Sequence, residues 1–305
     1  MAETGLATQR RRVNWGRVVT IGIPYFWLIA FFMAPFLVVL KISFSEPVLA
    51  MPPYAPTWDS FSAAWHHLTH LSFDNYTFLF SDPLYLESYL NSVKIAGIST
   101  LLTLCFGYPI AYGIARSSPN WRATLLMLVI LPFWTSFLIR VYSWIGILKT
   151  EGLLNNFLLW LGVISDPLHI YYTPTAVYIG IVYSYLPFMI LPLYASLEKL
   201  DLSLLEAASD LGAKPMTVFW RVTLPLTLPG VAAGCFLVFI PAVGEFVIPE
   251  LLGGSSTLMI GKTLWNEFFQ NRDWPTASAV AVLLLMVLVI PIVVFQRVAK
   301  RGGAG

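Results

Sequence analysis

At 305 residues the chain is 57% hydrophobic and only 11% charged, where soluble domains carry about 25% charged residues. With a mean hydropathy of +0.73, its solvent is lipid, and a soluble globular domain is excluded. The net charge of +2 says little as a total; its distribution along the chain says more.

A helix needs about 20 apolar residues to cross a bilayer. Six runs reach or approach that length: 18–40, 95–115, 123–148, 170–197, 222–247 and 274–296. The sequence therefore predicts an all-α membrane protein with six transmembrane helices. The first run is bracketed by Arg17 and Lys41. It exceeds the apolar core of a secretory signal and no A-x-A site follows it, so it reads as an uncleaved span after a basic tail, 1–17. A long loop, 42–93, follows, with Pro47, Pro52, Pro53 and Pro56 near its start and His66, His67 and His70 further on. His66 and His70 share a helix face, but no carboxylate or thiol neighbours them at short spacing. A surface segment is therefore expected rather than a metal site.

The second run lies between Lys94 and Arg116. The third continues past Arg140 to Leu148. The fourth has no charge, and the fifth meets Glu245 near its end. Two further loops, 149–169 and 251–273, join runs on the side of the long loop. Prolines within the runs, among them Pro132, Pro187 and Pro241, imply kinks. Cys105 and Cys235 lie inside apolar runs and read as small buried residues, neither a disulfide nor a metal pair.

Lys and Arg set the orientation. The N-terminal tail, the turn after run 2, the 198–221 loop and the C-terminal tail (298–305 with Arg297) hold 12 of the 18 basic residues against five acids. The remaining loops and spans hold 6 basic residues and 11 acids. Both termini are expected in the cytoplasm, and the 198–221 loop with them.

That loop is polar and helix-prone. Leu204, Leu205, Ala208 and Leu211 recur at helical spacing, while Glu206 and Asp210 share another face. Gly212 fits the helix end, and Pro215 cannot prolong it. A short amphipathic helix results, suited to a membrane surface or a partner's groove. Its polar face is acidic, where membrane-surface helices are usually basic, which favours a protein partner.

The spacing Glu206-Ala207-Ala208, Gly212, Val222, then Leu224-Pro225 resembles the EAA loop of ABC-importer permeases. The family usually has Ile where Val222 stands. The segments 132–148 (PFWTSFLIRVYSWIGIL), 153–163 (LLNNFLLWLGV) and 239–254 (FIPAVGEFVIPELLGG) are similar to the polyamine subgroup, and most of all to its putrescine-importing PotH type. The resemblance spans about 18–300 and is weakest in the first long loop. It implies the type I ABC-importer permease fold and an inner-membrane location. It implies that 198–221 is a coupling loop docked in a cleft of a cytoplasmic ATPase, with Glu206, Ala207, Ala208, Asp210, Gly212 and Pro225 as coupling residues. The implied partners are two ABC ATPase subunits, a second homologous permease and a periplasmic polyamine-binding protein, with no nucleic acid. No P-loop occurs in this sequence. ATP and Mg are thus expected on the partner subunits, with no cofactor and no metal in this chain, which is a non-catalytic transport subunit.

A polyamine needs carboxylates or aromatic faces along its path, and charges within spans are functional candidates by default. Glu245, about 31 Å along a straight helix from Leu224, comes first, near the outer mouth, with Glu250 beyond it. Trp134, Tyr142, Trp144, Tyr183 and Tyr185 supply ring faces. The plainer reading makes Glu245 an interfacial carboxylate paired with a base such as Arg140, and the aromatics belt or packing residues. Arg140 reads as an ion-paired or snorkelling residue, or as a docking point for the binding protein. Rival functions are a same-fold permease for another small solute (sulfate, thiamine or an iron chelate), a proton-coupled secondary transporter, and an intramembrane enzyme. Titratable groups are too scarce in the runs to favour the last two.

Overall fold

A computed structural model describes residues 15–57, 71–254 and 257–302. His66, His67 and His70, like Arg10, Arg11 and Arg12 of the N-terminal tail, lie outside the described residues. The chain starts with α1 (Trp15–Leu28), a π-helical turn (Ile29–Met33) and α2 (Ala34–Ile42). Together they form a span with no buried residue across its apolar window. A two-residue antiparallel ladder, β1 (Glu46–Pro47) on β2 (Tyr54–Ala55), is a small exception to the all-α expectation. Next comes α3 (Asp74–Ser81). Its buried Asn75 donates to the Ser43 and Ser45 carbonyls at 2.9 and 2.8 Å, fixing the end of α2.

The core is three long helices. α4 (Pro83–Arg116) starts with Pro83 at its first turn and with the Asp82 carboxylate accepting from the Leu84 N–H at 2.9 Å, as helix starts favour. It packs on α8 (Pro174–Glu198) and on α11 (Leu224–Val243). Without a hydrophobic force between helices in lipid, close approach of small residues takes over. A Cβ on Gly107 would stand 2.9 Å from Met189 Cγ, and one on Gly234 2.6 Å from Met189 Sδ. Met189 and Leu193 are accordingly fully buried. The Tyr108 and Thr227 hydroxyls, 2.9 Å apart, add a polar tie between α4 and α11.

The third run is not one straight helix. α5 (Pro119–Ile130) passes through a 3-10 turn (Leu131–Trp134) to non-helical Thr135 and Ser136, and α6 (Phe137–Leu148) resumes beyond. The two arms, Pro119–Trp134 and Phe137–Trp160, are bent by 89°. Pro132 has no N–H to donate to the preceding turn, which tightens there to 3-10 geometry, and the chain turns extended at Thr135 and Ser136. α7 (Leu153–Trp160) ends on Gly162, at φ +68°.

The 251–273 region, expected as a loop, is largely helical and packed. It contains the end of α12 (Val247–Leu252), then α13 (Ile260–Trp265) and a π-helical turn, Asn266–Gln270. Ile248, Leu252, Met259 and Ile260 are fully buried. Ser92 of α4 accepts from the Ile260 N–H at 2.7 Å, capping α13 from a neighbouring helix. α14 (Trp274–Gly302) closes the chain. Of the cysteines, Cys105 is exposed on α4 and Cys235 is half-buried, which corrects the expectation that both are buried.

Among the described residues four helices are long and apolar enough to cross a membrane: Val19–Ile42, Pro83–Arg116, Pro174–Glu198 and Pro215–Val243. The bent pair makes a fifth if it counts as one span, and Trp274–Ile290 is a shorter apolar stretch.

Candidate functional site

Two regions carry the residues singled out from sequence. The first is the 198–225 segment. Here α9 (Ser203–Asp210) contains Glu206, Ala207 and Ala208. The Ser203 N–H, followed by its hydroxyl, holds the Asp201 carboxyl below its ordinary range. At the other end Gly212, at φ +80°, lets the Ala213 N–H reach the Ala208 carbonyl at 3.1 Å and its own N–H reach Ser209 at 2.9 Å. This is a Schellman end, and its left-handed position favours glycine. Lys214 then leads into α10 (Pro215–Val218) and a π-helical turn (Phe219–Thr223), with Pro225 in the first turn of α11. The fifth helical run therefore starts at Pro215, earlier than the 222 expected from hydropathy.

No residue of α9 is buried. Glu206, Ala207 and Asp210 are exposed, and so are Leu202, Leu204, Leu211 and Met216, the last two at 88% and 66%. With Leu205 and Ala208 only half-buried, the helix presents both carboxylates and large apolar side chains outward, a face suited to a membrane surface or a partner's groove.

The second region lies at the break between α11 and α12. Glu245 is 8% exposed. Its Oε2 accepts from the Tyr185 hydroxyl at 2.6 Å, and its Oε1 from the Val247 N–H at 3.1 Å and the Ile248 N–H at 3.5 Å. The carboxylate thus satisfies the otherwise orphaned donors starting α12 while tying α12 to α8. The break is set back from the Pro174 end of α8. A Cβ on Gly180 would stand 2.8 Å from both Ile248 and Leu252, and Gly180 is about 9 Å along the helix from Pro174. Tyr185 lies about 17 Å from that end and about 20 Å from Glu198.

The elbow between α5 and α6 reaches a similar depth. Phe133 meets Phe188 of α8 edge-on at 5.2 Å, and Phe188 contacts Tyr185 at 6.1 Å. Arg140 does not pair with Glu245. Its guanidinium lies over Phe133 and Phe137 at 4.9 and 5.8 Å, and its Nε and Nη1 are buried without an acceptor. Ring quadrupoles take the place of a counter-charge. Glu250 instead holds Lys262, Nζ to Oε2 2.8 Å.

The aromatic candidates divide into three sets. Tyr185 joins Glu245. Trp144 and Tyr183 contact each other at 5.3 Å and line a separate cavity of about 390 Å³ with Leu102, Phe106 and Tyr178, where no carboxylate faces them. Trp134 and Tyr142 point outward, at 73% and 58% exposure. Sequence reasoning missed Lys262, Phe133 and Phe188. The only local hint was Gly261 beside Lys262, and its need for close packing shows only in three dimensions.

The chain matches the family described as binding-protein-dependent transport system inner membrane component over residues 98–302. The spermidine/putrescine transport system permease protein PotB of Haemophilus influenzae is 43% identical over 286 residues, 92% of this chain and 93% of that one. Its Escherichia coli counterpart is 49% identical over 227 residues, 74% and 82% of the two chains. A bacterial alginate ABC transporter, solved with an alginate pentasaccharide-bound periplasmic protein, shares the fold at TM-score 0.69, with 16% identity and 94% of this chain covered. The family match over two-thirds of the sequence, and 43% identity to a permease over nearly the full length of both chains, place the chain in the binding-protein-dependent transport system inner membrane component family, as a non-catalytic membrane subunit of an ABC importer.

Proposed function

We propose that the chain is one of two permease subunits of a polyamine importer, taking putrescine and spermidine. The PotH-type likeness favours putrescine, whereas the relatives above are named for both compounds. In this reading six helices span the inner membrane, the bent pair and α14 included, with both termini and α9 cytoplasmic. Two ATPase subunits grip α9 and its counterpart on a second, homologous permease. They bind the ATP and Mg, and a periplasmic binding protein delivers cargo to the opposite face. Closure of the ATPases moves α9, with Gly212 and Pro225 passing the motion to α11 and on to the break at 244–246.

The observation that carries the cargo assignment is Glu245, a carboxylate held inside the span. Non-helical backbone at such depth is tolerated where it is buried in protein or lines a water-filled cavity. The elbow at 135–136 and the break at 244–246 both meet α8 around Tyr185 and Phe188, which supports a path there; Trp134, Tyr142, Trp144 and Tyr183 stand apart from it. In this conformation Glu245 is a cap. A cation reaches it after α13, which covers it, moves.

The test is uptake by the complete transporter in proteoliposomes. Glu245→Gln is expected to lower putrescine uptake at least tenfold while the subunits still co-purify. Wild-type uptake by that variant removes Glu245 from the path. A second reading has one observation behind it: Arg140, at mid-depth without a carboxylate, suits a small anion. Sulfate uptake with no polyamine uptake by the wild type would establish that reading instead.

A further inference from the structure

Glu245 is buried, and α13 helps to bury it. A Cβ on Gly261 would stand 2.3 Å from the Gly244 carbonyl oxygen and 2.7 Å from that of Glu245, an approach that glycine alone permits. The next residue, Lys262, fastens α13 to α12. Its Nζ stands 2.8 Å from Glu250 Oε2 and donates to the Gly254 carbonyl at 3.3 Å. The lysine side chain is 14% exposed and the glutamate 53%. Glu250 therefore already holds a cation yet stays open to an arriving solute. That cation is a primary ammonium on a four-carbon stem, the group that ends a diamine.

We propose that Lys262 is a tethered stand-in for the cargo: an ammonium group of the polyamine replaces it on Glu250, and its release frees α13 from α12 and uncovers Glu245. The proposal rests on the polyamine reading above and names the specificity-determining pair for it. The exchange is like for like. Glu250 keeps one ammonium partner, no bond is made or broken covalently, and a partly exposed ion pair gives up its partner readily. The order of groups fits as well. Gly253 and Gly254, just past Glu250, pack on Val177 and Tyr172 at the Pro174 end of α8, while Glu245 reaches Tyr185. A solute entering from that end meets Glu250 first. A neutral solute cannot replace Lys262, and a quaternary ammonium has no N–H to offer the carboxylate.

Hydrogen exchange of the 257–265 amides in the assembled transporter, held in lipid nanodiscs, tests the exchange directly. Excess putrescine should raise the rate about 1.5- to 5-fold, the range set by loss of one such ion pair. Hexamethylated putrescine at equal ionic strength should not. Lys262→Met and Glu250→Gln should each exchange fast without putrescine and respond to neither compound. The swapped pair, Glu250→Lys with Lys262→Glu, restores the ion pair though not the bond to the Gly254 carbonyl, and should exchange more slowly than either single variant. An unchanged or slowed wild-type rate with putrescine, an equal response to the hexamethyl compound, or a swapped pair as fast as the single variants overturns the proposal. Uptake separates the two claims. A wild type that imports polyamine without the exchange response overturns this inference alone; one that shows the response but imports none overturns the polyamine reading.

Discussion

Glu245 shows how one side chain serves two ends. Its two oxygens accept from three donors, on α8 and at the start of α12, so its charge is solvated by the protein inside an apolar span. Burial of a carboxylate without such donors is prohibitive. Tyr185→Phe removes the 2.6 Å bond and leaves the backbone donors in place. Interhelical bonds in membranes are modest and bonds to charged groups stronger, so the expected loss is about 1–2 kcal/mol. Thermal unfolding of the detergent-solubilised protein reads it out as a lowered midpoint. An unchanged midpoint means that the Tyr185–Glu245 bond adds nothing to stability. Glu245 was legible in the sequence because a charge ending an apolar run is conspicuous. Its partner was not, because Tyr185 is one of several tyrosines on a helix whose faces the apolar pattern does not distinguish. From the sequence Arg140 reads as an ion-paired or snorkelling residue; its aromatic bed, Phe133 and Phe137, is near in sequence, but only the elbow between them brings both rings under the guanidinium.

At the scale of elements, α9 was the most legible. The pattern of Leu204, Leu205, Ala208 and Leu211, with glycine and then proline behind it, marks a short helix and its end. The structure places the helix at Ser203–Asp210 with Gly212 in the left-handed position. Of the α5–α6 elbow a kink is legible from Pro132, but its size, 89°, is not, because hydropathy runs through it unbroken and only the polar pair Thr135–Ser136 marks the break. The stretch 251–273 reads as a loop because it is rich in glycine and polar residues. Among the described ones, Thr263 and Glu267 are buried and paired with Ser88 and Tyr85 of α4, and Gly253 packs on Val177 of α8, where packing overrides composition. Two changes in the segment proposed for coupling should have different effects. Glu206→Lys reverses a charge on an exposed face and leaves the fold alone, so solubilised permease should lose the ATPase in pull-down, with transport abolished. Undiminished co-purification and transport would refute the docking role. Gly212→Val puts a β-branched residue at φ +80°, costing about 1–2 kcal/mol. It should fray the end of α9 and weaken ATPase binding partially, in proportion to that cost. Equal binding by wild type and variant would show that the turn does not set the orientation of the helix.

For the whole molecule the open quantity is the number of crossings, and one element decides it. Four helices cross by length and composition. α14 is helical through Gly302, long enough at about 1.5 Å per residue. If the bent pair also crosses, the total is even and both termini share a side. If it dips in and returns, the total is odd and they do not. Charge argues for crossing. The turn after α4 carries Arg116 and Arg122, whereas the segment beyond α6 carries Lys149 against Glu151 and Asp166; basic residues mark the cytoplasmic side. Reporter fusions after Ser118, Val163 and Gly305 test this. A fluorescent protein should light up at 118 and 305, and alkaline phosphatase should be active at 163 alone. Phosphatase silent at 163 but active at 305 would make the bent pair a re-entrant hairpin. α9 and the C-terminus would then lie outside, beyond reach of any cytoplasmic motor, and the coupling role assigned to Glu206 would fall with the topology.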